Sequence, residues 1–275
     1  VGAYITSVLN VWLFTSDRVF GAAVLPPSSV LYLFPVTLLM GGIGAALVGL
    51  LVAVPSFKTR GDYLAIITLA VNYIVKSSIE NIQGIGGARG FMGMRSVVNA
   101  MQAIADIPWI MIWVFAVTGL SVWIIYRFVN STYGKGVVAI RDDEIAAEIM
   151  SVDTRRIKMT AFMLSSGLAG VAGGLFAHIL GYINPGTFTI MKSTEIMVMV
   201  YLGGMGSLSG SVLSAIGFTV ILELFRPLQV AKWVVIPLLL ILLMLFRPEG
   251  LLGNRELTDV FPRLRRMLAP QGRRA

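Results

Sequence analysis

From Val30 to Val54 the chain carries no charged side chain, and from Met159 to Ile183 it again carries no Asp, Glu, Lys or Arg. Runs of that length are the feature that most restricts the fold. A bilayer core is crossed by about 20 apolar residues in a helix. In lipid the backbone can satisfy its own hydrogen bonds only as a helix or a closed barrel. A third run, Ile107 to Val129, is equally greasy and carries Trp109, Trp113, Trp123 and Tyr126, with the outermost aromatics spaced as an interfacial belt. The whole chain is 56% hydrophobic and 13% charged, where soluble domains are about 25% charged. The reading is an all-α, polytopic helical membrane protein of about eight transmembrane helices.

The net charge is +8 and there is no cysteine. The first points to basic cytoplasmic loops and not to nucleic acid. The second removes disulfides, thiolate metal sites and thiol nucleophiles. Position 1 is not Met, and Val1 to Ser16 reads as part of a span. The natural N-terminus is therefore expected upstream, and further helices with it. Residues 1–275 read as one membrane domain, with no soluble domain or internal repeat.

Small residues recur every four positions in two spans. Gly41, Ala45 and Gly49 form one stripe; Ser166, Gly170 and Gly174 form the other, continued by His178. Such stripes let helices approach closely in lipid. His178 is the sole histidine, with no cysteine or carboxylate companion in its span. It reads as a structural hydrogen-bond partner in preference to a metal ligand or proton relay.

The span from Asp62 to Ser78 is less apolar, and Asp62 reads as a helix N-cap. Thr68, Asn72 and Lys76 lie a turn apart on one face. Polar groups at membrane depth face a pathway or a neighbouring helix. Two readings stand: a substrate pathway that includes Tyr63, Thr68 and Asn72 together with Gly86, Gly87, Gly90, Gly203, Gly204 and Gly206, or helix–helix hydrogen bonding with Lys76 snorkelling. Gln83 to Gly90 follows, with Gly84, Gly86, Gly87 and Gly90 forbidding a stable helix. A second glycine-rich break holds Gly203, Gly204 and Gly206, between short apolar runs from Ile196 to Leu202 and from Val212 to Phe225. It can be a tight turn between two spans or the middle of one discontinuous helix lining a cavity. Neither stretch matches a phosphate loop, and none occurs elsewhere.

One charged stretch interrupts this pattern, from about residue 130 to 158. Within it a short amphipathic helix is expected over Asp142–Met150, with Asp142, Asp143 and Glu144 at its N-terminus. Ile145, Ile149 and Met150 would share an exposed face, and an exposed apolar knob on a charged loop is best explained as a docking surface. Parity then orients the chain. With residues 130–158 in the cytoplasm, Lys58 and Arg60 also fall inside. If Gly203–Gly210 turns near the inner side, the Arg-rich tail 247–275 falls there too.

Several segments together resemble one family. They are Gly2-Ala3-Tyr4, Arg60 to Ile66, Gly86-Gly87 with Gly90, Arg141 to Glu148, Ala177-His178, Gly181-Tyr182-Ile183, Gly203 to Ser207 and Phe246 to Gly253. The family is the permease subunits of bacterial branched-chain amino-acid ABC importers, the LivM-like branch. The resemblance implies a multi-pass protein of the bacterial cytoplasmic (inner) membrane that is not an enzyme. It implies ATP-driven alternating access for leucine, isoleucine or valine. It implies as partners a LivH-like second permease, two cytoplasmic ABC ATPases and a periplasmic or lipid-anchored binding protein. ATP and Mg would be bound by the ATPase, leaving no cofactor, metal or catalytic residue in this chain. Glu144, Ile145, Ala146, Ala147, Ile149, Met150 and Ser151 would form the coupling element, with Ser151 where relatives often carry Gly. Relatives also often have Gly-Glu where Asn72-Tyr73 stands, and Thr where Ile85 stands. A same-family permease for urea or a short amide is the alternative. A secondary carrier using His178, Glu195 or Lys76 is the reading from another class.

Overall fold

The computed structural model describes residues 1–15, 21, 23–26, 29–57, 62–104, 106–225, 237–238, 241, 245–246, 250–253 and 256. Residues Val1–Thr187 form one compact unit and Phe188–Ala275 a second.

The first unit contains α1 (Gly2–Phe14), α2 (Val30–Ser56), α3 (Asp62–Asn81), α4 (Met94–Ile104), α5 (Trp109–Val129), α6 (Thr132–Asp142), α7 (Glu144–Ile149) and α8 (Thr154–Leu180). Among the described residues α2, α5 and α8 are long and apolar enough to cross a membrane, and α1 is a shorter apolar helix. The basic residues Lys58 and Arg60 lie outside the described residues, as do nine of the fourteen residues of the apolar run 233–246 and most of the tail.

The centre of this unit is the contact of α2 with α8, with α1 laid against both. A methyl group on Gly170 would overlap Ala45 and stand 3.1 Å from the Gly41 carbonyl oxygen. One on Gly49 would stand 2.5 Å from Ser166 Oγ, and one on Gly174 2.8 Å from Thr6 Oγ1. The stripes meet where Ala45 faces Gly170 and Gly49 faces Ser166, while Gly41 and Gly174 make room for Thr6 of α1. The opposite face of α2 carries Leu39, Ile43, Leu47 and Leu51, all exposed in this chain and again four apart. That is the face such a helix turns to lipid.

Inside this three-helix contact the chain hides polar groups. Thr6, Ser7 and Asn10 of α1 are fully buried. Asn10 Nδ2 lies 2.9 Å from His178 Nε2, and His178 Nδ1 lies 2.7 Å from the Gly174 carbonyl. A carbonyl only accepts, so Nδ1 carries the proton and Nε2 accepts from Asn10. Phe34 packs edge-on against the imidazole at 5.0 Å. His178 is thus a structural hydrogen-bond partner, and Asn10 is the group the sequence reading did not pair with it. Bonds of this kind between membrane helices contribute about 0.6 kcal/mol, up to about 1.7.

Two features depart from expectation. The charged stretch 130–158 is almost continuous helix, since α6 and α7 fill it and α8 starts at Thr154. Serine and aspartate caps explain this: Ser131, Asp143 and Asp153 each accept from a backbone N–H of the helix they precede. The aromatic belt is the second. Trp123 and Tyr126 are exposed near the C-terminal end of α5, with Arg127 over the Trp123 ring. Trp109 and Trp113 instead pack against the cluster around Phe34, Val97 and Met101.

In the second unit α9 (Ile190–Gly203) and α10 (Leu208–Leu224) pack as a hairpin. Helix α9 begins six residues before the apolar run that opens at Ile196, capped by Thr189. The break at Gly203–Gly210 is therefore a turn between two helices.

Gly170→Val should destabilise the first unit by about 1–3 kcal/mol through overpacking. Gly119→Val on α5, with nothing within 4 Å of that position, should stay within about 0.5 kcal/mol of the parent. Thermal unfolding in detergent checks the contrast.

Candidate functional site

Helix α7 is the exposed element that the sequence singled out, and its side chains divide cleanly. Ile145, Ile149 and Met150 are 63%, 78% and 77% exposed, whereas Ala147 is buried. At 100° per residue, Glu144, Ala147 and Glu148 share the inward face. Both glutamates are used there. Glu144 Oε1 pairs with Lys158 Nζ at 2.5 Å, and Glu148 Oε1 accepts from Thr154 Oγ1 at 3.0 Å. The short helix is therefore fastened at both ends to the first turns of α8. The ion pair is about one-third exposed on each side, so its own contribution is at most about 1 kcal/mol. Its larger effect is geometric, because it fixes which face of α7 points outward.

The start of α7 is set by one residue of the three acidic ones. Asp143 Oδ1 accepts from Ile145 N at 2.9 Å and Ala146 N at 3.0 Å. Asp142 instead ends α6 and pairs with Arg141. The stop is set by Ser151, the one non-glycine residue with positive φ among those described, at 62°. Ser151 N donates to the Glu148 carbonyl and Val152 N to the Ala147 carbonyl. That pair of bonds is the Schellman arrangement, whose left-handed position is commonly glycine. Relatives with glycine here would hold the same turn without the left-handed penalty of about 1–2 kcal/mol.

At the other end of α8 the remaining candidates gather. Gly86, Gly87 and Gly90 have positive φ of 88°, 51° and 88°. A methyl group on Gly90 would stand 2.5 Å from the Ile183 carbonyl oxygen, and one on Gly87 3.0 Å from that of Glu80. The glycine loop thus lies between the end of α3 and the end of α8. A two-residue antiparallel pair, β1 (Phe91–Met92) and β2 (Tyr182–Ile183), holds it there. Beneath lie Tyr4, Phe91, Met94, Ala177 and Ile183. Thr68 is half-buried and Asn72 exposed on α3. Tyr63 lies in the first turn of α3, and its side chain is outside the described residues. Thr68, Asn72 and Lys76 share their face with a fourth polar residue, Glu80, which the sequence reading passed over although it continues the same four-residue spacing.

In the second unit Gly203 and Gly204 serve the hairpin. A methyl group on Gly203 would stand 2.5 Å from the Gly210 carbonyl carbon, and Gly204 takes φ 106° to leave the helix. Gly206 sits exposed in the turn. A segment from beyond the last apolar run closes on this turn. Leu251 N donates to the Leu202 carbonyl at 2.8 Å. Glu256 accepts from Leu208 N at 2.9 Å, Ser209 N at 3.1 Å and Ser209 Oγ at 2.5 Å. Burial alone would raise the Glu256 carboxyl, but these donors hold it below the usual carboxylate range. Nothing in the sequence flagged Glu256, because its partners are nearly fifty residues away.

The described residues hold no group of three or more His, Cys, Asp or Glu side chains placed to bind a metal ion. What they do hold is a helical membrane body with a pinned, outward-facing apolar knob at one end and a glycine loop at the other. These are features of a multi-pass membrane transport component. The family described as branched-chain amino acid transport system / permease component matches residues 1–246, and the chain belongs to that family. It is 32% identical over 237 residues to the high-affinity branched-chain amino acid transport system permease protein LivM of Escherichia coli K12, covering 78% of this chain and 56% of that protein. It is 30% identical over 169 residues to the permease protein LivH of the same organism, covering 59% of this chain and 51% of that one. A probable LivM of Methanocaldococcus jannaschii is 22% identical over 277 residues, covering 92% of this chain and 75% of that protein. The chain thus spans little more than half the length of the Escherichia coli relatives. No solved structure matches.

Two outcomes follow from the caps. Ser151→Gly should stabilise the end of α7 by about 0.5–1 kcal/mol, the left-handed penalty less the entropy cost of glycine; slower amide exchange at Ser151 and Val152 checks it. Glu256→Gln should loosen the α9–α10 turn. Because the folded carboxyl lies below its unfolded value, the parent's extra stability is present above the ordinary carboxylate range and lost on acidification through the depressed value. The variant should lack that acid-dependent drop in a pH series of melting temperatures.

Proposed function

We propose that this chain is a transmembrane subunit of an ABC importer that carries leucine, isoleucine or valine into the bacterial cytoplasm. The observation that carries the reading is α7: three apolar residues face outward on a helix whose inward face is bonded to α8. A solvated apolar face of this size suits a groove on a partner protein. In the proposed mechanism the partner is an ABC ATPase, which takes up Ile145, Ile149 and Met150. Glu144 and Glu148 pass its movement to α8. Helix α8 is 27 residues long, about 40 Å at 1.5 Å per residue, and its glycine-packed middle moves α1 and α2 with it.

The remaining parts of the assembly are a second, LivH-like permease, a second ATPase, and a periplasmic or lipid-anchored binding protein, all in or at the inner membrane. ATP and Mg bind the ATPases, and this chain contributes no catalytic group. The substrate class is taken from the names that the relatives carry. The pathway is placed along Thr68 and Asn72 of α3, toward Gly86, Gly87 and Gly90.

Ile145→Asp and Ala146→Arg in the reconstituted complex should each cut ATP-driven leucine uptake about tenfold or more, the scale of losing one buried aliphatic contact. ATP hydrolysis by the partner should persist, and each variant should still reach the membrane. Parental uptake by both variants, or uptake that survives an inactive ATPase, would overturn the coupling role. Uptake of urea with no uptake of leucine would move the substrate to the amide class.

A further inference from the structure

The end of α3 carries an ion pair that the transport reading does not use. Lys76 Nζ lies 3.7 Å from Glu80 Oε1, and the two side chains are 29% and 35% exposed. Charge-assisted N–H···O bonds are made at about 2.7–2.9 Å. At 3.7 Å the ammonium and the carboxylate attract each other without closing on each other, so each keeps hydrogen-bonding capacity for a third group. A surface i,i+4 pair in an ordinary helix would be unremarkable. This one stands in a chain that is 13% charged, within the last six residues of a helix that ends at Asn81 and is otherwise lined by exposed Ile66, Leu69, Tyr73 and Ile74.

Its surroundings are fixed. Ile79 packs onto the cluster of Tyr4, Phe91 and Ile183. The Glu80 carbonyl lies against Gly87, in the loop tied to the end of α8. The backbone that presents Glu80 is therefore held in place by Ile79 and by the Gly87 loop. Tyr73, three residues before Lys76, shares its face and is 58% exposed. Below it Asn72 and Thr68 continue the polar line along α3. The pair stands at the end of α8 opposite the α7 docking helix, which in the orientation read from the basic loops is the outer mouth.

We propose that Lys76 and Glu80 receive the charged end of a zwitterionic α-amino acid at the outer mouth. The proposal rests on the transport reading above and names the groups that recognise its substrate. Lys76 takes the α-carboxylate and Glu80 the α-ammonium. Both the pair and the ligand are neutral overall, so the exchange of one ion pair for two leaves no uncompensated charge. An anion or a cation alone would strand one partner, which is costly in a partly desolvated site. The ring of Tyr73 is placed to lie against the aliphatic side chain, and Asn72 and Thr68 offer the next polar groups along the helix.

The test uses the purified permease–ATPase complex without binding protein, and radiolabelled leucine as the probe. The parent complex should bind leucine directly, and Lys76→Gln and Glu80→Gln should each weaken binding about tenfold or more, the scale of one lost charge-assisted bond. Lys76→Arg keeps the charge and should stay within about threefold of the parent. On the parent, 4-methylpentanoate and leucinamide, each lacking one charge, should displace leucine at least tenfold less well than isoleucine does. Parental affinity in both Gln variants would overturn the proposal, as would equal loss in Lys76→Arg or equal displacement by the two analogues. ATP-driven leucine import by a parent complex that shows no direct leucine binding would overturn the site and leave the transport function standing. Absence of ATP-driven import by the parent complex once its binding protein is added would overturn both.

Discussion

The contact between α2 and α8 is what the rest of the first unit depends on. Two apolar helices in lipid gain nothing from hiding apolar surface, because the lipid tails are as apolar as they are. Their association must come from dispersion over a large area of close approach. That requires only small groups at the seam, as where Ala45 meets Gly170 and Gly49 meets Ser166. Helix α1 then fits because Gly2 and Thr6 reach the same seam, and its polar groups find partners only there: Thr6 at the Thr37 carbonyl and Asn10 at His178.

This packing makes α8 a single rigid body that carries a fixture at each end. At its start, Thr154 and Lys158 hold α7. At its finish, β2 and the turn at Asn184 hold the glycine loop and, through it, α3. A continuous path of bonded and tightly packed atoms thus runs from α7 to the far end of α8.

Much of this was legible because membranes impose strict rules. Apolar length marked the helices, four-residue spacing marked the seam, and the misplaced charge of Arg141–Glu148 marked the exposed helix. Three kinds of feature were not legible. Helices α4 and α6 are short and carry polar faces, so no apolar run announced them, and caps alone decided α6. The division of labour among Asp142, Asp143 and Glu144 depends on where α6 ends, which periodicity does not specify. Contacts distant in sequence were hidden altogether: Asn10 with His178 and Glu256 with Ser209. For these, only an unexplained polar residue was visible, without the address of its partner.

The Glu256 clasp also bears on how the protein is made. Helix α10 starts with backbone donors that its own neighbourhood satisfies only in part, through Ser207. The remaining donors wait for a carboxylate that lies 48 residues beyond Leu208. Synthesis runs from N- to C-terminus, so α9 and α10 leave the ribosome with an unfinished turn. Completion comes only after the intervening apolar stretch has been released. A nascent chain stopped short of that carboxylate would lack this acceptor for the Leu208 and Ser209 amides.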